Sequence, residues 1–475
     1  MANTLKQNVV FEVLRTSLTI LFPLVTFMYV TRVLSVEGIG QVHFIKNLAS
    51  YFCLAASLGV SYYGTREGAK IAKDKIGFSV FFWEILIITL ASTMLSAIAY
   101  LLTIFYLPSL LNYRLLLLVN FTGIVLAGFS CDWVMTAYED FRALSISSMI
   151  LQLICLLSLL CFVRNESDSI PYAAILLASS YGLAFFNWIN IARKKRVCWV
   201  PFSRISIKRH LRPVLMMFAM LVSIDLYTML DTTMIGFIKG DYSVGIYSSA
   251  IKVPRLVNSL IATVGTVLVP RLSYYYEVDR AQFMKYIHYA MRFVFMVSIP
   301  AAMLLFTMSD DIILLICGSK FIDASVTLRI LSPLTLIIPI SVLFNNQVFI
   351  PMRLEKFVLQ SVVLGAIINV IANLILIPKY GHNGAAAASV MAEIAVMSVC
   401  LFHVKQELSI QILKKYVKQF ILSVPIFVLS MLSVWLFDNM WLRLLCCLML
   451  CAPVFLYTNK DTIGEMLLNK RRREE

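Results

Sequence analysis

The chain has 475 residues, of which 60% are hydrophobic and only 14% are charged, and its mean hydropathy is +0.84. Soluble globular domains are nearer half apolar and a quarter charged, so this composition excludes a soluble enzyme and a disordered protein. The formal net charge of +15 would suit a nucleic-acid binder, but no stretch interleaves basic and aromatic residues as a nucleic-acid groove does. No nucleic-acid partner is therefore expected.

Apolar segments long enough to cross a bilayer recur along the whole chain. A helix needs about 20 apolar residues to cross the roughly 30 Å hydrocarbon layer. The segments of this kind are residues 9–31, 40–62, 77–103, 114–137, 143–163, 170–192, 213–238, 243–269, 284–307, 325–350, 357–378, 383–404, 416–436 and 440–457. The connections are too short for a sizeable soluble domain. The pattern predicts an all-α, polytopic membrane protein of about 14 helices.

A basic stretch from Arg193 to Arg212 separates the first six predicted spans from the next six. It mixes cations with Trp199 and other apolar residues, which suits a segment lying on an anionic membrane surface; a solvated connector is the alternative. Six spans on each side give halves of equal orientation, as in transporters built from parallel repeats. The predicted domains are an N-terminal lobe (1–192), a cytoplasmic interfacial linker (193–212), a C-terminal lobe (213–406), and two additional helices with a basic tail (407–475).

The positive charges are distributed unequally across the predicted topology. When a residue among the first five of a span is counted with the adjoining loop, 28 of the 41 Lys and Arg residues fall on the side of the N-terminus, 8 on the opposite side and 5 deeper within spans. Cytoplasmic loops carry the excess of Lys and Arg in membrane proteins, so both termini are predicted to be cytoplasmic. The first hydrophobic segment lacks a small-residue cleavage site and is expected to remain as a span.

Five basic residues fall inside predicted spans, where a charge costs about 2.5–3.5 kcal/mol on insertion scales and normally faces water or a partner. Cations in an aqueous cavity suit the binding of a phosphate or an acidic sugar. The predicted substrate-binding cations are Lys46, Lys252, Arg255, Arg292 and Arg15. Glu12 precedes Arg15 by three residues and would neutralise it. The alternative is that the cations pair with Asp225, Asp231 or Glu84 and only hold the bundle together.

Spacing places several of these residues on common helix faces. Lys46 shares a face with His43 and Ser50, at intervals of three and four residues. The pair Lys252 and Arg255 has the same spacing on the eighth predicted span. The proline between them cannot donate a backbone hydrogen bond, so a bend is predicted there.

A second polar group lies in the C-terminal half. Its predicted members form a coupling-ion or proton site: Asp231, Asn369, Asn373 and Glu393, with Ser389 nearby in sequence. Hard monovalent cations prefer carboxylate, amide and hydroxyl oxygens, and a buried carboxylate can also carry a proton. Interhelical hydrogen bonding is the alternative.

The motifs of several enzyme classes are absent. The chain has no G-x-x-x-x-G-K-[ST], H-E-x-x-H or G-x-S-x-G sequence. The five histidines are widely spread, and the ten cysteines lack metal-site spacing and are expected to be small buried apolar residues. Asp310-Asp311 is a paired-carboxylate signal that a solvated helix end explains better than catalysis. We therefore predict no enzymatic activity, metal or cofactor.

Short motifs in a characteristic order carry a family resemblance. In the first half they are Thr31-Arg32-Val33-Leu34, Glu37-Gly38-Ile39-Gly40, Gly59 to Glu67, Asp132-Trp133 and Tyr138-Glu139-Asp140-Phe141. In the second half they are Asp231 to Ile235, Val244 to Tyr247, Val269 to Ser273, Gly318 with Phe321, Leu331-Ser332-Pro333, Asn369 to Asn373, Ile377 to Gly381, and Gly384-Ala385-Ala386 with Glu393. Together they resemble the Wzx-type flippases of polysaccharide repeat units, such as those of O-antigen or capsule, in the multidrug/oligosaccharidyl-lipid/polysaccharide exporter superfamily.

The resemblance implies two six-helix lobes around a central cavity that opens alternately to each side of the bacterial inner membrane. It implies an undecaprenyl-diphosphate-linked glycan as substrate, H⁺ or Na⁺ as a coupling ion, and a polymerase and glycosyltransferases as partners. The related lipid II flippase has a cation site with an acid on the seventh span and polar residues on the eleventh and twelfth. Asp231, Asn369 and Asn373 are placed comparably, but Asn373 replaces a second acid, which leaves the coupling ion open.

Two other functions stay open. A cation-coupled multidrug exporter of the same superfamily would favour an acid-lined cavity, which the five basic residues within spans oppose. A membrane-embedded glycan transferase or polymerase would normally expose a large catalytic loop, and none is predicted.

Overall fold

The computed structural model describes residues 22–407 and 411–458. These residues are almost entirely helical and include no strand, so the predicted all-α class is confirmed. Among the described residues, eight helical stretches are long and apolar enough to cross a membrane when residues 355–405 are counted once, and a bent pair within residues 241–278 would make a ninth. The total of 14 spans stays a prediction, because part of the chain lies outside these ranges. Arg15, Glu12, the side chain of Asp225 and the tail Lys470–Glu475 also lie outside the described part of the protein.

Contacts divide the chain into two units, residues 1–245 and 246–475. The predicted boundaries after residues 192, 212 and 406 stay predictions. The helices of the first unit are α1 (Phe22–Val33), α2 (Val36–Ser57), α3 (Val60–Ile71), α4 (Lys75–Tyr106), α5 (Arg114–Gly128), α6 (Asp132–Ala137), α7 (Phe141–Phe162), α8 (Ser169–Tyr181), α9 (Leu183–Arg193) and α10 (Lys208–Lys239), with 3₁₀ turns at Pro108–Tyr113 and Phe202–Arg204.

Short polar residues begin several of these helices. Ser35, Asp74 and Asp140 precede α2, α4 and α7, and each side chain accepts a hydrogen bond from a first-turn backbone N–H. Such caps satisfy donors that the helix itself leaves open. Leu58 and Gly59 separate α2 from α3 with φ values of 48° and 68°, a conformation that glycine adopts easily.

Trp133 lies at the centre of an aromatic core in the first unit. The rings of Phe78, Phe81 and Phe82 lie 5.9, 5.6 and 6.0 Å from the Trp133 ring, between centroids. A Cβ atom at Gly64 would approach Trp133 Cδ2 to 2.7 Å. The residues Gly64 and Trp133, which belong to separate sequence motifs, are therefore packing partners that bring α3 against α6.

The predicted interfacial linker is only partly irregular. Since α10 begins at Lys208, the last five residues of the linker are helical. Trp199 is 72% exposed and its ring contacts Trp83 at 5.2 Å between centroids. Trp83 Nε1 donates to Cys198 O at 3.1 Å, which attaches the irregular segment to α4.

The second unit contains most of α11 (Asp241–Val278), which begins in the first unit. The helices that follow are α12 (Arg280–Thr307), α13 (Ser309–Ile316), α14 (Ala324–Leu331), α15 (Leu334–Val342), α16 (Glu355–Glu407), α17 (Gln411–Leu436) and α18 (Met440–Thr458), with a 3₁₀ turn at Ser319–Phe321 and a π-helix at Leu343–Phe349 that continues α15.

Two breaks shape this unit. The large bend of α11, 45°, lies between Thr263 and Leu268, whereas Pro254 lies within a continuous stretch of helix. Pro270 follows the bend directly and cannot donate to residue 266, which weakens the helix at this position. Pro254 removes a donor in the same way without a bend of this size. In α16, Gly381 has a φ of 57° and divides the element into two helices, as the predicted spans 357–378 and 383–404 require.

The two halves of α16 pack closely. A Cβ atom at Gly384 would lie 2.3 Å from Leu376 O, and one at Gly365 would lie 2.4 Å from Val396 Cγ2. Small residues allow this approach of two helices in a membrane protein. The pairing is that of an antiparallel hairpin.

Candidate functional site

A hollow lies inside the first unit, beside Lys46 in the middle of α2. Lys46 is ten residues beyond the first residue of α2, or roughly 15 Å along the helix, which is near mid-depth for a span. The residues that line this Lys46 hollow are Val42, Lys46, Ala49, Ser50 and Cys53 of α2, Asn120 and Gly123 of α5, and Ala173, Leu177, Ser180 and Tyr181 of α8. It leaves about 20 Å³ open to the centres of water molecules, enough for one or two waters.

The polar groups of the hollow are mainly hydrogen-bond acceptors. Ser50 Oγ donates to Lys46 O at 2.8 Å and Ser180 Oγ donates to Leu176 O at 2.9 Å, so both hydroxyl protons are committed to backbone. Asn120 Nδ2 donates to Leu116 O at 2.8 Å. These side chains have oxygen lone pairs left to offer to an ammonium group or to water. No carboxylate is among the lining residues.

The predicted face of α2 is only partly reproduced. Lys46 and Ser50 both line the hollow, but His43 contacts the rings of Phe27 and Tyr172, each at 6.4 Å between centroids. Spacing along one helix identified Lys46, while the packing of α5 and α8 decided what surrounds it.

The other described cations of the prediction lie in the second unit. Lys252 is half-buried and Arg255 is exposed on α11, and Arg292 is half-buried on α12. The assignment of these side chains to substrate binding stays a prediction.

The residues of the predicted coupling-ion site are divided between the two units. Asp231 is 7% exposed on α10 of the first unit, while Asn369, Asn373 and Glu393 belong to α16 of the second. Asn369 and Asn373 are fully buried, and Asn373 Nδ2 donates to Asn369 Oδ1 at 3.0 Å. Glu393 is half-buried.

Ser389 contributes to packing between helices. Its hydroxyl donates to Ala385 O at 3.0 Å and lies 3.0 Å from the hydroxyl of Tyr247 on α11. The tyrosine hydroxyl is therefore the donor of the second bond, because the serine proton is already engaged. Hydrogen bonding between helices, the alternative for these polar residues, is realised at Ser389.

Sequence reasoning missed a buried network around Glu84. The Glu84 side chain is fully buried, and Arg209 donates to Glu84 Oε2 at 2.6 Å. The backbone N–H of Ser206 donates to Oε1 at 2.7 Å, and His210 Nε2 lies 2.9 Å from Oε2. Tyr63 Oη is 2.7 Å from His210 Nδ1. We call these five residues the Glu84 network.

The Glu84 network alters the interpretation of two sequence features. Glu84 was a possible partner for cations within spans, but its partners come from the end of the linker and the start of α10. The basic linker is accordingly fastened to α3 and α4 by charge-assisted hydrogen bonds, which are the strong ones in a buried setting. Only the fold places Arg209 and His210 beside an acid more than 120 residues earlier.

A second attachment holds the other end of the linker. Asp140 pairs with Lys194 and Arg196, and the Arg196 guanidinium lies 4.6 Å from the centroid of the Tyr138 ring. Burial opposes ionisation of Asp140, but the two cations outweigh it and lower the pKa of this carboxyl. The motif Tyr138-Glu139-Asp140-Phe141 thus contains an anchor as well as the cap of α7.

The Asp310-Asp311 pair is also structural, but not as predicted. Asp310 pairs with Arg329 at 3.1 Å and remains half exposed. Asp311 is buried and pairs with Arg443 of α18 at 3.2 Å. The prediction of a solvated helix end is therefore correct for Asp310 only, because Asp311 is buried against α18. Among the described residues, no group of three or more His, Cys, Asp or Glu side chains is arranged to hold a metal ion.

Comparison with known proteins agrees with this fold. Residues 5–276 match the family described as polysaccharide biosynthesis protein. The "Putative O-antigen transporter" of Shigella dysenteriae is 24% identical over 407 residues, which cover 84% of this chain and 100% of that protein.

Two solved structures share the architecture. The lipid II flippase MurJ in an inward closed conformation superposes with a TM-score of 0.73 at 17% identity, covering 96% of this chain and 100% of MurJ. An inward-facing multidrug resistance MATE family transporter of the MOP superfamily superposes with a TM-score of 0.66 at 15% identity, covering 85% of this chain and 99% of that one. The expected family resemblance is confirmed by the family match and by the relative named for O-antigen transport, and these two structures share the fold. Because the family match extends over more than half of the chain, this protein belongs to the polysaccharide biosynthesis protein family.

Proposed function

We propose that this protein is a flippase, which moves an undecaprenyl-diphosphate-linked oligosaccharide from the cytoplasmic to the outer leaflet of a bacterial inner membrane by alternating access. The observation that carries the proposal is membership of a polysaccharide biosynthesis family by a multi-helix membrane protein. A family member that spans the membrane many times suits a step in which glycan crosses the bilayer. The relative named for O-antigen transport supports the same kind of cargo.

The physical obstacle is the cargo's polar head. A diphosphate and several sugars carry many polar groups, and each costs several kcal/mol, or about 2–7, when it loses water without a replacement hydrogen bond. In the proposed mechanism, Lys252, Arg255 and Arg292 supply positive charge to the diphosphate inside the membrane. Arg is suited to this role because its guanidinium can make paired hydrogen bonds to a phosphate. The prenyl tail stays in lipid.

The proposed setting follows from the charge distribution. With 28 of 41 Lys and Arg residues on the side of the N-terminus, both termini lie in the cytoplasm in this proposal. Glycosyltransferases would supply the lipid-linked glycan and a polymerase would consume it. The protein performs no bond-making step, so the substrate leaves with unchanged mass. Asp231, Asn369, Asn373 and Glu393 remain proposed ligands for H⁺ or Na⁺.

The test uses the purified protein in liposomes with a lipid-linked oligosaccharide in one leaflet. We expect transfer to the other leaflet without a change in mass, and at least tenfold slower transfer for Arg255→Ala. Arg271→Ala is the matched control, because Arg271 is an exposed cation on the same helix, in the stretch predicted to be a cytoplasmic loop. Equal loss in both variants, or normal transfer by Arg255→Ala, would remove Arg255 from the mechanism.

The same liposomes separate the other functions. If a cationic amphipathic drug is transported while the oligosaccharide lipid stays in place, the protein is a multidrug exporter. If the mass of the glycan increases or decreases, it is a transferase or polymerase.

A further inference from the structure

The Lys46 hollow places an amine near mid-depth of a predicted span, with no acid among its described lining residues. Its lining combines the Lys46 side chain with hydroxyl and amide oxygens, and no Asp or Glu is among the lining residues. Buried cations in membrane proteins are normally paired or hydrated, because an isolated charge is costly there. The arrangement needs a physical explanation that a packing role does not supply, since an apolar side chain of the same length would fill this position at lower cost.

The hollow is poorly suited to an anion. Ser50, Ser180 and Asn120 each direct a hydrogen to a backbone carbonyl of their own helix. Apart from Lys46 itself and the second amide hydrogen of Asn120, what these groups offer to the hollow is oxygen lone pairs, which suit water or an ammonium better than a phosphate or a halide. In this conformation the space of about 20 Å³ that is open to the centres of water molecules holds one or two waters and is too small for a whole oligosaccharide. A proton is the ligand that fits both the chemistry and the size.

Among the described residues, few titratable side chains lie near Lys46. His43, one turn earlier on α2, contacts the rings of Phe27 and Tyr172. Cys53 on α2 and Tyr181 on α8 line the same hollow. Tyr100 on α4 lies close enough to Cys53 to interact with it electrostatically. Asp231 on α10 is close enough to Tyr51 to interact with it electrostatically. The Tyr51 hydroxyl also lies 2.9 Å from the Thr233 hydroxyl. The polar side chain that α5 contributes to the hollow is Asn120, which is neutral. The described helices that pack on α2 therefore bring no carboxylate into the hollow.

We propose that Lys46 is a proton-exchange site, which takes up one proton and releases it in each transport cycle. On release, an N–H bond of the ammonium breaks, the electron pair stays on Nζ as the free amine, and the proton passes to a water molecule in the hollow. Uptake reverses this step. The oxygens of the hollow accept hydrogen bonds from both the ammonium and the amine form of Lys46. Because these oxygens are neutral, they do not bind the ammonium as tightly as a carboxylate would, and the proton can leave.

The proposal rests on the proposed function. It assigns Lys46 to the coupling proton instead of the diphosphate, and as the proton site it is an alternative to the group of Asp231, Asn369, Asn373 and Glu393. With uptake from the outer side and release to the cytoplasm, one proton entering would drive one glycan lipid outward. A gradient of one pH unit is then worth about a tenfold shift in the distribution of the glycan lipid between leaflets. Without exchange at Lys46, this shift disappears.

The test compares the wild-type protein with Lys46→Met and Lys46→Arg in liposomes carrying a gradient of one pH unit. Methionine has similar length but no proton to exchange, and arginine keeps its charge throughout the working pH range. We expect about a tenfold shift of glycan lipid for the wild type and no shift for either variant. Binding of the glycan lipid should be unchanged within twofold in both variants. Cys53→Ala is the control, because it alters the same hollow but leaves the amine in place.

Three results would overturn the proposal. A pH-driven shift retained by Lys46→Met would show that the proton binds elsewhere. A normal shift in Lys46→Arg would show that a fixed positive charge is sufficient. Loss of glycan-lipid binding in Lys46→Met would place Lys46 in the substrate site.

A second measurement is independent of transport. In protein labelled with ¹⁵N-lysine, the signal absent from Lys46→Met belongs to Lys46, and it should interconvert between ammonium and amine over the working pH range. A signal that remains ammonium throughout rejects the proposal. If the wild type moves no glycan lipid but this signal titrates, the proposed function fails while the exchange site stands.

Discussion

The Lys46 hollow and the Glu84 network are both buried charges in the first unit, and they are treated in opposite ways. Glu84 receives hydrogen bonds from a guanidinium and a backbone N–H, and it also contacts an imidazole. Lys46 has neutral oxygens and room for water, with no acid among the lining residues. A charge with dedicated partners holds elements in place, whereas a charge whose described neighbours are neutral can change its state.

The largest expected effect is on the Glu84 network. Glu84→Ala leaves His210 and the Ser206 N–H buried without their acceptor, which should destabilise the protein by about 2–3 kcal/mol. Part of the Arg209 interaction is already lost to water, since Arg209 is 57% exposed. Thermal unfolding in detergent measures the change. Glu67→Ala, which removes a pair with exposed Arg66 and Lys70, should cost less than 1 kcal/mol.

A substitution in the Lys46 hollow should change the stability in the opposite direction to Glu84→Ala. Lys46→Met replaces a partly buried charge with an apolar side chain of similar length, which should stabilise the folded protein by about 1 kcal/mol. The same unfolding assay measures this change. If Lys46→Met is as destabilising as Glu84→Ala, the two buried charges play the same structural part and the comparison fails.

The ion pairs of Asp140 with Lys194 and Arg196 should make the free energy of unfolding depend on pH. The pKa of Asp140 is lowered in the folded state, so its contribution is present above the unfolded value of about 3.9 and is lost as the pH falls through the lower folded value. Asp140→Asn should remove about 1 kcal/mol at neutral pH and little in strong acid. Unfolding temperatures of both proteins between neutral pH and acid provide the check, and a difference that grows in acid would contradict it.

A smaller effect than that of Glu84→Ala is expected at the edge of the Glu84 network. Tyr63→Phe removes the hydroxyl that bonds to His210 Nδ1 and should cost about 0.5–1.5 kcal/mol. Because Glu84 keeps its contacts with Arg209, Ser206 and His210, the loss should stay below that of Glu84→Ala. Tyr62→Phe, at an exposed neighbouring position, should have almost no effect in the same assay.

Several features of the fold were predictable because they depend on local composition. Long apolar segments predict membrane-spanning helices, and eight such helical stretches are among the described residues. The orientation predicted from the unequal distribution of Lys and Arg stays a prediction. The break at Gly381 was predictable from the short polar segment between two apolar runs. The position of the bend in α11 was not, since Pro254 and Pro270 both remove a backbone donor and only the surrounding packing decides which one bends the helix.

Sequence by itself determined the membrane class, the family motifs and the identity of ionisable residues within spans. Lys46 stands out in the sequence because charge is rare in such a segment. Tertiary structure alone decided the surroundings of each charge: α5 and α8 place neutral oxygens around Lys46, whereas the linker brings Arg209 and His210 to Glu84. The reason is that spacing along one helix specifies a shared face, but the groups that face it come from helices distant in the chain.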